Sequence, residues 1–81
     1  IKYTFVDVSI FPKVDFINIE IPQPYSKGTI EIFSLDMKQV LKLNVSNEQK
    51  IQMNVSTLTQ GMYTVKFTSE TYIATQKIMK K

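Results

Sequence analysis

The chain has 81 residues and a formal net charge of +3, with neither Cys nor His, and all ten of its basic residues are Lys. That length holds one small domain, which buries roughly 60–65% of the surface its unfolded chain exposes. The composition excludes disulfides, thiolate chemistry, zinc clusters and His-based triads, and a hydrophobic share of 43% against 21% charged excludes a disordered chain.

The hydrophobic period is 2 almost everywhere, the signature of strands with one face on a core and one in water. It predicts seven strands, over about 3–10, 15–21, 28–34, 38–45, 49–55, 61–69 and 71–79. Ile17, Ile19 and Ile21 alternate with Asn18 and Glu20 in the second, and Ile30 and Ile32 alternate with Thr29 and Glu31 in the third. Leu41, Leu43 and Val45, then Ile51, Met53 and Val55, repeat the pattern, and Tyr63, Val65 and Phe67 carry it into the sixth strand. Pro12-Lys13 breaks the first two strands, and the loop from Pro22 to Gly28 holds two prolines that cannot sit in a central strand. Ser46-Asn47-Glu48 and Ser69-Glu70-Thr71 read as short hairpin loops, and Ser56 to Gln60 as one helical turn with Ser56 as its N-cap.

Seven short strands at this spacing point to an all-β, seven-stranded immunoglobulin-like antiparallel sandwich with Greek-key connections, a small barrel being the competitor. The expected core is Ile17, Ile19, Ile30, Ile32, Val40, Leu43, Ile51, Met53, Leu58, Tyr63, Val65, Phe67 and Ile78. Leu58-Thr59-Gln60-Gly61-Met62-Tyr63 reads as a tyrosine corner, in which the hydroxyl bonds to backbone a few residues upstream. Gly61 supplies a backbone conformation costly for other residues there, and Leu58 plugs the end of the sandwich.

Other constellations lead to no chemistry. The acidic residues form no metal-ligand spacing, and Glu20 and Glu31, the best candidates to meet across strands, read as solvated surface. No Ser stands in a nucleophile elbow, and two glycines cannot build a phosphate-cradling loop. The expectation is no enzyme, no cofactor and no metal. Scattered Lys without Arg argues against nucleic acid, and no apolar run reaches the roughly 18–20 residues of a membrane helix. Lys becomes dense only at Lys77, Lys80 and Lys81. Tyr3, Phe5, Tyr25 and Tyr72 are the aromatics available for a sugar-stacking platform. Residue 1 is Ile, so the chain reads as a piece of a longer protein, with 78–81 as its natural end.

Three blocks and a tail resemble one known family. The first is Ile10-Phe11-Pro12-Lys13-Val14-Asp15-Phe16-Ile17-Asn18-Ile19, and the second is Ile30-Glu31-Ile32-Phe33-Ser34-Leu35-Asp36-Met37-Lys38-Gln39-Val40. The third, and most specific, runs Met53-Asn54-Val55-Ser56-Thr57-Leu58-Thr59-Gln60-Gly61-Met62-Tyr63-Thr64-Val65-Lys66-Phe67, and the tail is Gln76-Lys77-Ile78-Met79-Lys80. Together they resemble the type A C-terminal sorting domain of the type IX secretion system, from about Val8 to Lys81. Two positions depart from it. The Asn-Pro after Phe11-Pro12 is missing, and Met37 replaces the usual turn Gly, so a different turn is expected there.

The resemblance implies residues 1–81 to be a single sorting domain at the end of a longer cargo protein. It implies a signal, read by outer-membrane secretion machinery after export to the periplasm, that sends the cargo to the cell surface or medium, often with removal by a sortase. By the same resemblance Gly61, Tyr63, Lys77, Ile78, Met79, Lys80 and Lys81 are the partner-binding candidates, and Phe11, Pro12, Asp15, Leu58, Gly61 and Tyr63 carry the structural motif. The alternative is an immunoglobulin-like or fibronectin-like accessory module of a surface hydrolase, acting as spacer or weak carbohydrate binder.

Overall fold

The structure is a computed structural model that describes residues 10–11, 16–21, 24–70 and 73–80. Its strands are β1 (Ile10–Phe11), β2 (Phe16–Glu20), β3 (Lys27–Ser34), β4 (Gln39–Ser46), β5 (Lys50–Asn54), β6 (Gly61–Ser69) and β7 (Ile73–Lys80). The fold is all-β. Six strands, β2 to β7, form two antiparallel sheets, one of order β7-β6-β3-β4 and the other of β2 and β5. The two-residue β1 adds to the larger sheet in parallel, Ile10 against Met79 and Phe11 against Lys80. The expected strand over 3–10 falls almost wholly outside the described residues.

Alternation decides which side chains meet between the sheets. From the larger sheet come Ile30 and Ile32 of β3, Tyr63, Val65 and Phe67 of β6, and Ala74 and Ile78 of β7. They join Ile17, Ile19 and Ile21 from the β2 side and Ile51, Met53 and Val55 from the β5 side in one buried cluster. Fully burying each large member is worth about 1.5–3 kcal/mol before ordering costs.

Two expected core residues are not in it. Val40 points to the outer face, because Leu41, Leu43 and Val45 hold the inward positions of β4; it is 38% exposed. Leu43 points inward beside Ile30 yet is 36% exposed. It sits on an edge strand, and the facing sheet of two described strands does not extend over it. Tyr25 reverses in the other direction. It is buried at 6% exposure, its ring edge-on to Phe67 at 4.9 Å between centroids, and its hydroxyl donates to the Glu48 carbonyl at 2.5 Å. That takes it out of any sugar platform, whose other members lie outside the described residues.

The loop at 46–48 is a second correction. It is not a hairpin, because β4 and β5 belong to different sheets. The chain crosses between layers there, with Asn47 in a positive-φ conformation and its N–H on the Ser26 carbonyl. Glu20 and Glu31 likewise lie on different sheets. Each stands in register with lysine, Glu20 with Lys50, and Glu31 with Lys42 and Lys66.

Candidate functional site

One end of the sandwich gathers the β3–β4 turn, the β5–β6 connection and the last residues of β7. The connection begins with Asn54, whose Oδ1 accepts the Ser56 N–H at 2.9 Å and the Ser56 hydroxyl at 2.7 Å. The Leu58 N–H then closes onto the Val55 carbonyl at 3.0 Å. This is a single Asn-capped turn rather than a helical turn capped by Ser56, because the Asn54 side chain reaches the backbone first. It drops Leu58 into the core at 8% exposure.

Gly61 follows with φ of +152°, where a side chain would be strained although nothing lies within 4 Å of its missing Cβ. Tyr63 is buried, and its hydroxyl donates to the Thr59 carbonyl at 2.6 Å. An aromatic ring thus fills the core while its polar tip satisfies a loop carbonyl.

The tail residues divide by the alternation of β7. Ile78 is 1% exposed and packs in the core opposite Tyr63. Lys80 also faces inward, buried, with its ammonium donating to the Val55 carbonyl at 2.9 Å. Its stem packs while its charge reaches a backbone oxygen, so this lysine ties the end of β7 across to the connection after β5. Lys77 faces outward, exposed, beside Thr64 of β6, and Met79 is half-buried opposite Met62. Gly61 is half-buried. Lys81, Pro12 and Asp15 lie outside the described residues, and of Phe11 the structure gives the strand pairing to Lys80.

The β3–β4 turn closes this end. The Met37 N–H donates to the Ser34 carbonyl at 2.9 Å and the Ser34 N–H to the Lys38 carbonyl at 2.8 Å. Met37 takes φ of +67°, a left-handed conformation that glycine adopts freely and a residue with a Cβ does not. The expected different turn is therefore not found; Met occupies the strained position instead. The Ser34 hydroxyl donates to the Asp36 carboxylate and holds it below the usual carboxylate range.

Between this turn and the start of β6 runs a shallow cleft of about 150 Å³, whose lining includes Leu35, Met37, Met62, Thr64 and Lys77. A wider groove continues past Asp36 toward Gly61 and Tyr63. Sequence reasoning singled out Gly61, Tyr63 and Lys77, and the fold brings all three to the walls of this cleft and its continuation. It missed Leu35, Met37 and Met62; the Met at the expected glycine position was the one signal available. Among the described residues, no three acidic side chains gather as a metal site, and no helix is long and apolar enough to cross a membrane.

The family model of the secretion system C-terminal sorting domain matches residues 10–81. No curated protein matches the chain significantly.

Proposed function

The chain belongs to the family of type IX secretion system C-terminal sorting domains, and we propose that it directs a covalently linked upstream cargo across the outer membrane to the cell surface or the medium. The observation that carries this reading is the family match, which spans all but the first nine residues. The reading takes the described strands as part of a seven-stranded immunoglobulin-like Greek-key sandwich, and the transit as periplasm first, then outer membrane, with a sortase among the partners. Gly61, Tyr63 and the 77–81 tail are its recognition elements, the buried Tyr63, Ile78 and Lys80 acting through the fold they hold. The burial of Ile78 and Lys80 supports two roles for the tail, with alternate residues holding the fold and Lys77 facing outward.

The test is a fusion. An exported fluorescent reporter carrying this chain at its C-terminus is expressed in a host that has the secretion system. The expected result is reporter outside the cell. Retention of a folded fusion in the periplasm overturns the reading. Deleting 77–81 is a poor probe, because it also removes Ile78 and Lys80 from the packed interior.

A further inference from the structure

The apolar side chains of the β3–β4 turn, Leu35 and Met37, lie outside the buried core. Leu35 is 80% exposed and Met37 72%, and Met62 beside them on β6 is 36% exposed. A turn tip is ordinarily polar, and this one holds Met at a backbone conformation costing about 1–2 kcal/mol for a residue with a Cβ. Strain retained together with an exposed apolar side chain is a mark of a binding surface. Met is also the side chain that adapts best to varied partners.

Charge at this cleft is one-sided. On the outer face Lys42 and Lys66 stand in register with Glu31, whereas Lys77 stands in register with Thr64. The Asp36 carboxylate, which accepts the Ser34 hydroxyl and stays ionised, lines the wider groove beyond the cleft. Among the described residues that line the cleft itself, Lys77 is the charged one, beside the apolar Leu35, Met37 and Met62.

We infer that this cleft docks a protein segment presenting an apolar side chain next to a carboxylate, the apolar group on Leu35, Met37 and Met62 and the carboxylate on Lys77. The inference rests on the sorting reading and names the surface and the partner chemistry that reading requires. A second copy of the chain, whose exposed Leu35 and Asp36 also place an apolar side chain next to a carboxylate, is the competing occupant that the test separates.

The experiment uses the same reporter fusion with three variants: Leu35→Ser combined with Met62→Thr, Lys77→Glu, and Lys77→Arg. All change exposed side chains, and protease resistance of the purified fusions checks the fold. Export is expected to fall about tenfold or more in the double variant and in Lys77→Glu, as loss of interface anchors does. Lys77→Arg, which keeps the cation, should retain more export than Lys77→Glu, and an equal loss in both overturns the charge pairing. If the double variant loses protease resistance, the Lys77 pair decides alone. Folded variants exported like the wild type overturn the docking surface and leave the sorting reading standing. A wild-type fusion that stays in the cell overturns the sorting reading and this surface with it. A wild-type fusion that sediments as a dimer, with variants that sediment as monomers, assigns the cleft to self-association and overturns the proposed partner.

Discussion

The two ends of the sandwich are closed by different means. At the end holding the β6–β7 turn, the bonds join segments distant in sequence. Tyr25 reaches Glu48, the Gln49 side chain reaches the Ile21 carbonyl, and the Glu70 carboxylate accepts the N–H groups of Ser26 and Lys27, 44 and 43 residues away. At the cleft end the side-chain bonds among the described residues are local, from Ser56 to Asn54, Ser34 to Asp36 and Tyr63 to Thr59, with Lys80 as the long-range exception. Long-range bonds close one end against opening. Local bonds stiffen the other end's loops one by one and leave large apolar side chains in the open. The first arrangement stabilises; the second presents.

The largest expected contrast is between the aromatic of one end and the apolar tip of the other. Tyr25→Ala removes a buried ring from Phe67 and should cost about 3–5 kcal/mol in chemical denaturation, whereas Leu35→Ala should stay within about 0.5 kcal/mol. A large loss at Leu35 would mean that the tip is structural and would break the comparison.

The two glycines sharpen it next. A Cβ on Gly28 would stand 2.6 Å from Cε1 of Phe67, a steric conflict, whereas Gly61 has space but a φ of +152°. Both Gly→Ala changes should cost about 1–3 kcal/mol, the first by overpacking and the second by strain. A double-mutant cycle separates them: Phe67→Leu should reduce the cost at Gly28 and leave that at Gly61 unchanged. Smaller is the effect at Met37. Replacing it by Gly relieves about 1–2 kcal/mol of strain and gives part back as chain entropy, for a net gain of about 0.5–1 kcal/mol in thermal denaturation.

The smallest contrast is in pH. Glu70 is held below its ordinary range by the N–H of Ser26 first, then by its own N–H and that of Lys27. A depressed carboxylate contributes stability above its unfolded value of about 4.3, and the contribution is lost as pH falls through the folded value. Asp36 is depressed as well, chiefly by the Ser34 hydroxyl, but ties only its own turn. In acid titrations of stability, Glu70→Gln should flatten the fall below about pH 4.3 more than Asp36→Asn does. An equal effect would show that the reach of the bond does not matter.

Much of the fold was legible because alternation is a local property. Ile17 and Ile19, Ile30 and Ile32, and Tyr63, Val65 and Phe67 all lie buried where period 2 puts them. Three of the misses involve distance along the chain. Leu43 is inward by pattern, but its cover depends on how far the opposite sheet extends. Tyr25 looks like a loop aromatic until Phe67 and Glu48 are brought to it. Ser46-Asn47-Glu48 has the length of a hairpin, and only the sheet membership of β4 and β5 reveals a crossing. At the cleft, the third block could be read because Gly61 and Tyr63 act on neighbours within four residues.

What the sequence determined by itself is an all-β chain of 81 residues without Cys or His, and a set of blocks that matches a sorting-domain family. The diffuse charge of +3 looked uninformative at that level. The tertiary structure decided which lysines do what. It placed Lys42, Lys50 and Lys66 in register with acids, turned Lys80 inward onto a carbonyl, and left Lys77 beside the exposed Leu35, Met37 and Met62. The reason is geometric. Strand alternation tells each lysine which way it points, but only the register between strands distant in sequence tells it what it meets.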